Sequence, residues 1–375
     1  MSEVLEQPSP TTPKTARRRR WIRIAQVVVS LVLVVGIFVF AIPRIADYSK
    51  VWSTIAALTW FELATLIAVA VINLVTYWPV MVASMPGLTL GQAAVNNQTT
   101  TSVANTLPGG GAIAVPLSYA MYRSWGFTNS QIALTTLVTG IWNTFIKLGL
   151  PVVALALLAI QGQAGGALLL GALVGLAFLA AAVVLFGLML WKKRFARAIG
   201  NWLGRAVSLS LRPFGRPPVV GWGDGAVRFR KQTIGLLSRR WIPLTVTTVI
   251  SHLSLYLVLL LALRHVGVSE REISAAQVLG VFAFGRLVSA FPITPGGLGL
   301  VELSYIGGLV LAGRDHADVS PEVFRAQVAA AVLVFRTLTY ALQIPLGGLT
   351  YLIWRSKSSW RKPVPAEPRP APTAG

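Results

Sequence analysis

Pro292-Ile293-Thr294-Pro295-Gly296-Gly297-Leu298-Gly299-Leu300 interrupts the apolar stretch Ala275–Leu311, and the way the chain passes this break decides the fold. Pro removes a backbone donor and cannot extend the helix before it, while Gly permits turns closed to other residues. Two apolar arms result, Val278–Phe291 and Leu298–Leu311. A second break, Pro108-Gly109-Gly110-Gly111, divides Gly91–Trp125, whose first half carries Asn96, Asn97, Gln98, Thr99, Thr100, Thr101, Ser102, Asn105 and Thr106. Irregular polar backbone at membrane depth is tolerated only where it packs in protein or lines a wet cavity. Each segment is therefore a candidate re-entrant hairpin.

Composition sets the solvent. Hydrophobic residues make up 54% of the 375, more than a water-exposed surface tolerates. Further apolar stretches at Trp21–Ile42, Trp60–Met85, Gln131–Ile160, Ala167–Trp191, Trp241–Leu263 and Val328–Trp354 match the roughly 20 residues that cross ~30 Å of hydrocarbon. Trp21–Ile42 is too long for a cleavable signal and ends in Ile42-Pro43-Arg44, so it reads as a retained anchor. The chain has no Cys, which excludes thiol chemistry and Cys-based metal sites, and His252, His265 and His316 share no ligand spacing. No metal and no cofactor is expected.

The net charge of +21 first suggests nucleic acid. Placement points elsewhere. Lys14, Arg17, Arg18, Arg19, Arg20 and Arg23 precede or open the first span, twelve basic residues fill Lys192–Arg240, and Arg355, Lys357, Arg361, Lys362 and Arg369 follow the last span. This is the positive-inside asymmetry, with basic segments drawn to anionic headgroups, so the expected partners are membrane lipids and not nucleic acid.

Three cytoplasmic segments turn the crossings into a parity condition. Between Trp21 and Trp191 four stretches cross, so Gly91–Trp125 must enter and leave on one side. Trp241–Leu263 leaves and Val328–Trp354 returns, so Ala275–Leu311 must do the same from the other side. The predicted fold is an all-α polytopic membrane helix bundle of six full crossings and two re-entrant hairpins, eight apolar segments in all. Residues 1–20 form a basic cytoplasmic tail, 21–355 the membrane unit with a basic cytoplasmic loop at 192–240, and 356–375 a Pro-rich cytoplasmic tail, at the cell membrane. Pro108-Gly109-Gly110 with Leu117-Ser118-Tyr119, and Pro295-Gly296-Gly297 with Leu303-Ser304-Tyr305, suggest an inverted repeat. Broken helices at a repeat interface are a recurring plan of secondary transporters.

Ionisable groups far from span ends are costly, about 2.5–3.5 kcal/mol each on insertion scales. Lys147, Arg286, Glu302 and Arg336 are of this kind. Lys147 shares a helical face with Thr136, Thr139 and Asn143, and Arg336 shares one with Tyr340 and Gln343. Such groups serve either as interhelical glue or as the lining of a polar cavity, and three cations together favour the cavity. Glu302, in the first turns after the break, either holds the hairpin by pairing with Arg286 or Arg336 or acts as a proton or cation site. Half-helix N-termini at the breaks suit an anion such as a lipid phosphate. With neither a carboxylate cluster nor a nucleotide loop, an ATP-driven pump, a metal-dependent glycosyltransferase or another enzyme is not expected.

Pro292-Ile-Thr-Pro-Gly-Gly-Leu-Gly-Leu-Val-Glu302, Asn105-Thr-Leu-Pro-Gly-Gly-Gly and Arg286 together resemble the flippase-like family named for the transmembrane region of lysylphosphatidylglycerol synthases, over roughly Trp21 to Arg355. The resemblance implies an eight-segment inner-membrane protein that moves or modifies anionic lipids or lipid-linked sugars. Glu302 and the Pro295-Gly296-Gly297 break match the family pattern. After the first break, family members carry charges where this chain stays uncharged from Gly111 until Arg123. The 21 residues after Trp354 are too few for the aminoacyl-transfer domain of the true synthases, so lipid aminoacylation is not expected.

The leading reading is a translocase in which an anionic headgroup enters a cavity between the hairpins, with Arg286, Arg336 and Lys147 as counter-charges. Its alternatives are a non-transporting scaffold whose basic loop recruits a cytosolic enzyme, and a small-solute or ion carrier.

Overall fold

The computed structural model describes residues 28, 32, 35–107, 109–162, 166–212, 217–218, 220–289 and 294–362, which are helical with no strand among them. Most of the expected first crossing, Trp21–Ile42, lies outside these residues. Its end is a π-helical turn, Ile37–Ala41, running into Ile42–Ile45. Twelve helices follow: α1 (Tyr48–Ala56), α2 (Trp60–Ser84), α3 (Leu90–Thr106), α4 (Gly110–Ser124), α5 (Asn129–Ile160), α6 (Gly166–Trp191), α7 (Lys193–Leu211), α8 (Trp222–His265), α9 (Ala275–Val288), α10 (Leu300–Gly313), α11 (Pro321–Arg336) and α12 (Gln343–Ser356). The chain is an all-α, multi-pass membrane protein.

Four of these helices begin at a capping box, in which a Ser or Thr hydroxyl and a Glu or Gln three residues on satisfy each other's backbone amides. The boxes are Thr59–Glu62, Thr89–Gln92, Thr128–Gln131 and Ser274–Gln277. Two of them start the first arm of a hairpin. The arms are short, with 17 and 15 residues in α3 and α4 and 14 each in α9 and α10. At 1.5 Å per residue each spans about 25 Å or less, so an arm ends inside a bilayer core of ~30 Å. Pro295–Gly313 has the length and apolarity of a crossing when counted as one unit. Its backbone is broken within that unit, where Gly296 adopts φ 53° and a single 3-10 turn, Pro295–Gly297, precedes α10.

At the first break Gly109 takes φ 66°, and Gly110 lies so close to α3 that a Cβ would meet the Val103 carbonyl at 2.3 Å. Only glycine closes that hairpin.

Packing between the halves is reciprocal. α2 and α8 run antiparallel, with Thr65 against His265 at 2.8 Å, Asn73 donating to Ser254 at 2.9 Å, and Val80 beside Leu244. Each hairpin's first arm packs on the crossing that follows the other hairpin. α3 lies antiparallel to α12, with Ser102 donating to the Ile344 carbonyl at 2.9 Å and Thr99 meeting Thr350 at 3.0 Å. α9 lies on α5, with Gly280 against Ala154 and Leu158 and Ala276 clustered with Leu155. A two-fold exchange of α2 with α8, of α3 with α9 and of α5 with α12 accounts for all three contacts. Because the exchanged α2 and α8 are antiparallel, the repeat is inverted.

The short sequence match is not equivalent in space. Tyr305 is buried and stacks on Phe282, with centroids 6.3 Å apart, whereas Tyr119 is exposed and bonds Asn129. The described residues of 192–240 are mostly helical: α7 packs on the first turns of α8, a single helix of 44 residues that continues into the Trp241–Leu263 crossing.

Candidate functional site

The two breaks meet at Tyr340. This residue sits in a π-helical turn, Thr337–Ala341, between α11 and α12, a wide turn of the kind often found at functional sites. Its hydroxyl lies 2.6 Å from the Asn105 carbonyl at the end of α3 and 3.0 Å from the Pro295 carbonyl at the second break. Asn105 Nδ2 returns a bond to the Tyr340 carbonyl at 3.4 Å. Gly296 is pressed against the same ring, where a Cβ would sit 2.3 Å from Tyr340 Cε2. One phenol thus joins both hairpin tips.

Against its ring lies an ion pair. Arg336 Nε donates to Glu302 Oε1 at 2.6 Å, and Nη2 to the Gly296 carbonyl at 3.3 Å. The guanidinium lies over the Tyr340 ring, 4.3 Å from its centroid. Glu302, 1% exposed, uses Oε2 to accept the Gly299 amide at 2.7 Å, an orphan donor at the start of α10. The carboxylate therefore closes the broken turn and fixes Arg336. Of the two roles expected for Glu302, its contacts match the hairpin-holding one.

A cavity of about 600 Å³ opens beside these groups. Six of the seven predicted binding residues line it: Lys147 and Asn143 on α5, Arg286 on α9, and Arg336, Tyr340 and Gln343 around the π turn. Glu302 lies behind Arg336. Of the predicted break residues, Gly296 lines the cavity, Pro295 and Gly297 form its adjoining turn, and Gly109 and Gly110 shape the first hairpin; Pro108 lies outside the described residues. Thr136 and Thr139, on the same face of α5, line a smaller adjoining recess of about 270 Å³ that shares Tyr77 and Asn97 with the first. A polar track thus runs along α5.

The three cations expected as counter-charges differ in their contacts. Arg336 is neutralised by Glu302. Lys147 and Arg286 form no ion pair or hydrogen bond among the described residues, and Arg286 Nε is buried without a partner. Uncompensated charge away from bulk water costs several kcal/mol per ion. Two such cations on one cavity wall give it a positive charge that no group among the described residues pairs with.

Several lining residues were not singled out from the sequence. Gln98 is buried with both amide atoms unpartnered. His252, also buried, places Nδ1 3.0 Å from the Thr248 carbonyl, which only accepts, so Nδ1 carries a proton and Nε2 is left unpartnered at the cavity. Asn73 and Tyr77 complete the wall, Tyr77 accepting from Asn143 Nδ2 at 3.0 Å. A signal existed in the spacing of Asn97, Gln98, Thr101 and Asn105, which fall on one helical face.

A family profile described as the lysylphosphatidylglycerol synthase TM region matches residues 27–347. No curated protein matches the chain.

Proposed function

The chain belongs to the lysylphosphatidylglycerol synthase transmembrane-region family, and from that premise we propose that it translocates an anionic lipid or lipid-linked headgroup across the cell membrane. The observation that carries this reading is the pair Lys147 and Arg286, unpaired cations facing a cavity of headgroup size at the junction of two inverted hairpins. A phosphate between them offsets a charge cost that structure alone leaves standing. The surrounding amides and hydroxyls supply hydrogen bonds that a headgroup loses on leaving water, and His252 Nε2 accepts from a headgroup hydroxyl.

In this reading the lipid tail stays in the bilayer while the headgroup passes between the hairpins. The Tyr340 contact and the Arg336–Glu302 pair hold the tips together in the present state, and their exchange opens one hairpin relative to the other. The charge asymmetry supports a cytoplasmic position for both tails and the 192–240 segment. The work is binding and movement, without covalent chemistry.

Native mass spectrometry of the purified protein tests the ligand class. The expected result is retention of an anionic lipid by the wild type and its loss in Lys147→Met/Arg286→Met. Retention of lipids in bulk proportion by both proteins would contradict the reading.

A further inference from the structure

α7 carries an apolar face that is exposed among the described residues. At 100° per residue Phe195, Ile199, Trp202, Ala206 and Leu209 fall on one side of the helix. Trp202 is 65% and Leu209 68% exposed. The side that packs on α8 is a different one, formed by Ala196, Gly200 and Gly204, where a Cβ on Gly200 would lie 2.5 Å from the Trp222 carbonyl. The aromatic and aliphatic side chains are therefore not the seam of the helix pair.

Two further observations identify what covers them. α7 begins where α6 ends, after the single extended residue Lys192, and Trp191 stacks on Phe195 with centroids 6.4 Å apart. Arg230 donates to the Leu190 and Trp191 carbonyls at 3.1 and 3.0 Å, holding that junction against α8 at the end of a crossing. The apolar face is thus continuous with the hydrocarbon-facing surface of α6. Charge supplies the second argument: residues 192–240 hold twelve Lys and Arg against one acidic residue, Asp224. Arg194, Arg205 and Arg212 flank the apolar face on one side of the helix.

We propose that α7 is a membrane-surface helix that sinks its Phe195–Trp202–Leu209 face into an anionic leaflet, with Arg194, Arg205 and Arg212 at the headgroups. Apolar burial and attraction to anionic lipid act together in such helices. The helix would then brace the start of α8, which runs unbroken to the cavity wall at Ser251 and His252. This assignment does not depend on transport.

The absence of Cys allows one to be introduced at a time. Nitroxide labels on Trp202→Cys, Leu209→Cys and, on the polar side, Arg197→Cys are read in full-length protein in nanodiscs of phosphatidylcholine with or without phosphatidylglycerol. The expected result is that labels at 202 and 209 are relaxed by oxygen and shielded from a water-soluble nickel complex relative to 197, with shielding increased by phosphatidylglycerol. Equal nickel access at all three sites in both nanodiscs would overturn the proposal. So would shielding that appears only when an acidic polypeptide, poly-glutamate, is added, since that would assign the face to a protein partner. As a second measurement, tryptic cleavage at Arg194 and Arg205 should be slowed by phosphatidylglycerol in the wild type and not in Trp202→Glu/Leu209→Glu. Equal slowing in both would contradict insertion.

Discussion

The phenol of Tyr340 donates to the main-chain carbonyl of Asn105 at 2.6 Å, tying the turn that follows the second hairpin to the tip of the first. These residues are 235 positions apart, and the Pro295 carbonyl lies within reach of the same hydroxyl. A single removable group therefore couples the two breaks.

Tyr340→Phe keeps the ring under Arg336 and removes only the hydroxyl. The loss of one such bond is worth about 0.5–1.5 kcal/mol net. Hydrogen exchange should show faster amide exchange at 294–299 and 102–107, with the remaining crossings unchanged. Unaltered exchange at both tips would show that the phenol does not hold them.

Glu302→Gln leaves Arg336 without its counter-charge and should destabilise the protein by about 3–5 kcal/mol, the usual cost of breaking a buried pair from one side. Arg336→Met in the same chain removes the orphaned cation and should recover part of that loss. Thermal unfolding in detergent of the two single variants and the double gives the coupling energy. Additive effects would contradict a direct pair.

Gly347 and Gly348 are neighbours with opposite surroundings. A Cβ on Gly347 would lie 2.1 Å from Ser102 Cβ and 2.4 Å from the Gln98 carbonyl, whereas one on Gly348 meets nothing within 4 Å. Gly347→Ala should cost about 1–3 kcal/mol through overpacking of α12 on α3, and Gly348→Ala should be neutral or slightly stabilising. Comparison of their unfolding midpoints checks the reciprocal hairpin packing directly.

How much of this was legible in the sequence follows from the range of each interaction. Helical periodicity places Asn143 with Lys147, and Arg336 with Tyr340 and Gln343, because those relations are local. Parity of the charged segments separates hairpins from crossings, and the short arms α9 and α10 agree with it. Pairing is not local: Glu302 had Arg286 and Arg336 as equal candidates, and the choice depends on where the Pro295–Gly297 turn delivers the Gly299 amide. The same holds for Gln98 and His252, whose unpartnered atoms become notable only once helices remote in sequence close a wall around them. The pairing of α7 with the start of α8 was hidden because small residues at 196, 200 and 204 have meaning only against Trp222 and Ala226.

The separate roles of the cations give the central test. Lys147→Met and Arg286→Met remove charges that no group among the described residues pairs with, so both variants should fold and keep or raise their unfolding midpoints. In proteoliposomes, transbilayer movement of a labelled anionic phospholipid should fall at least tenfold in each variant relative to wild type. Movement at the wild-type rate in both, with protein of normal stability and orientation, would contradict the account.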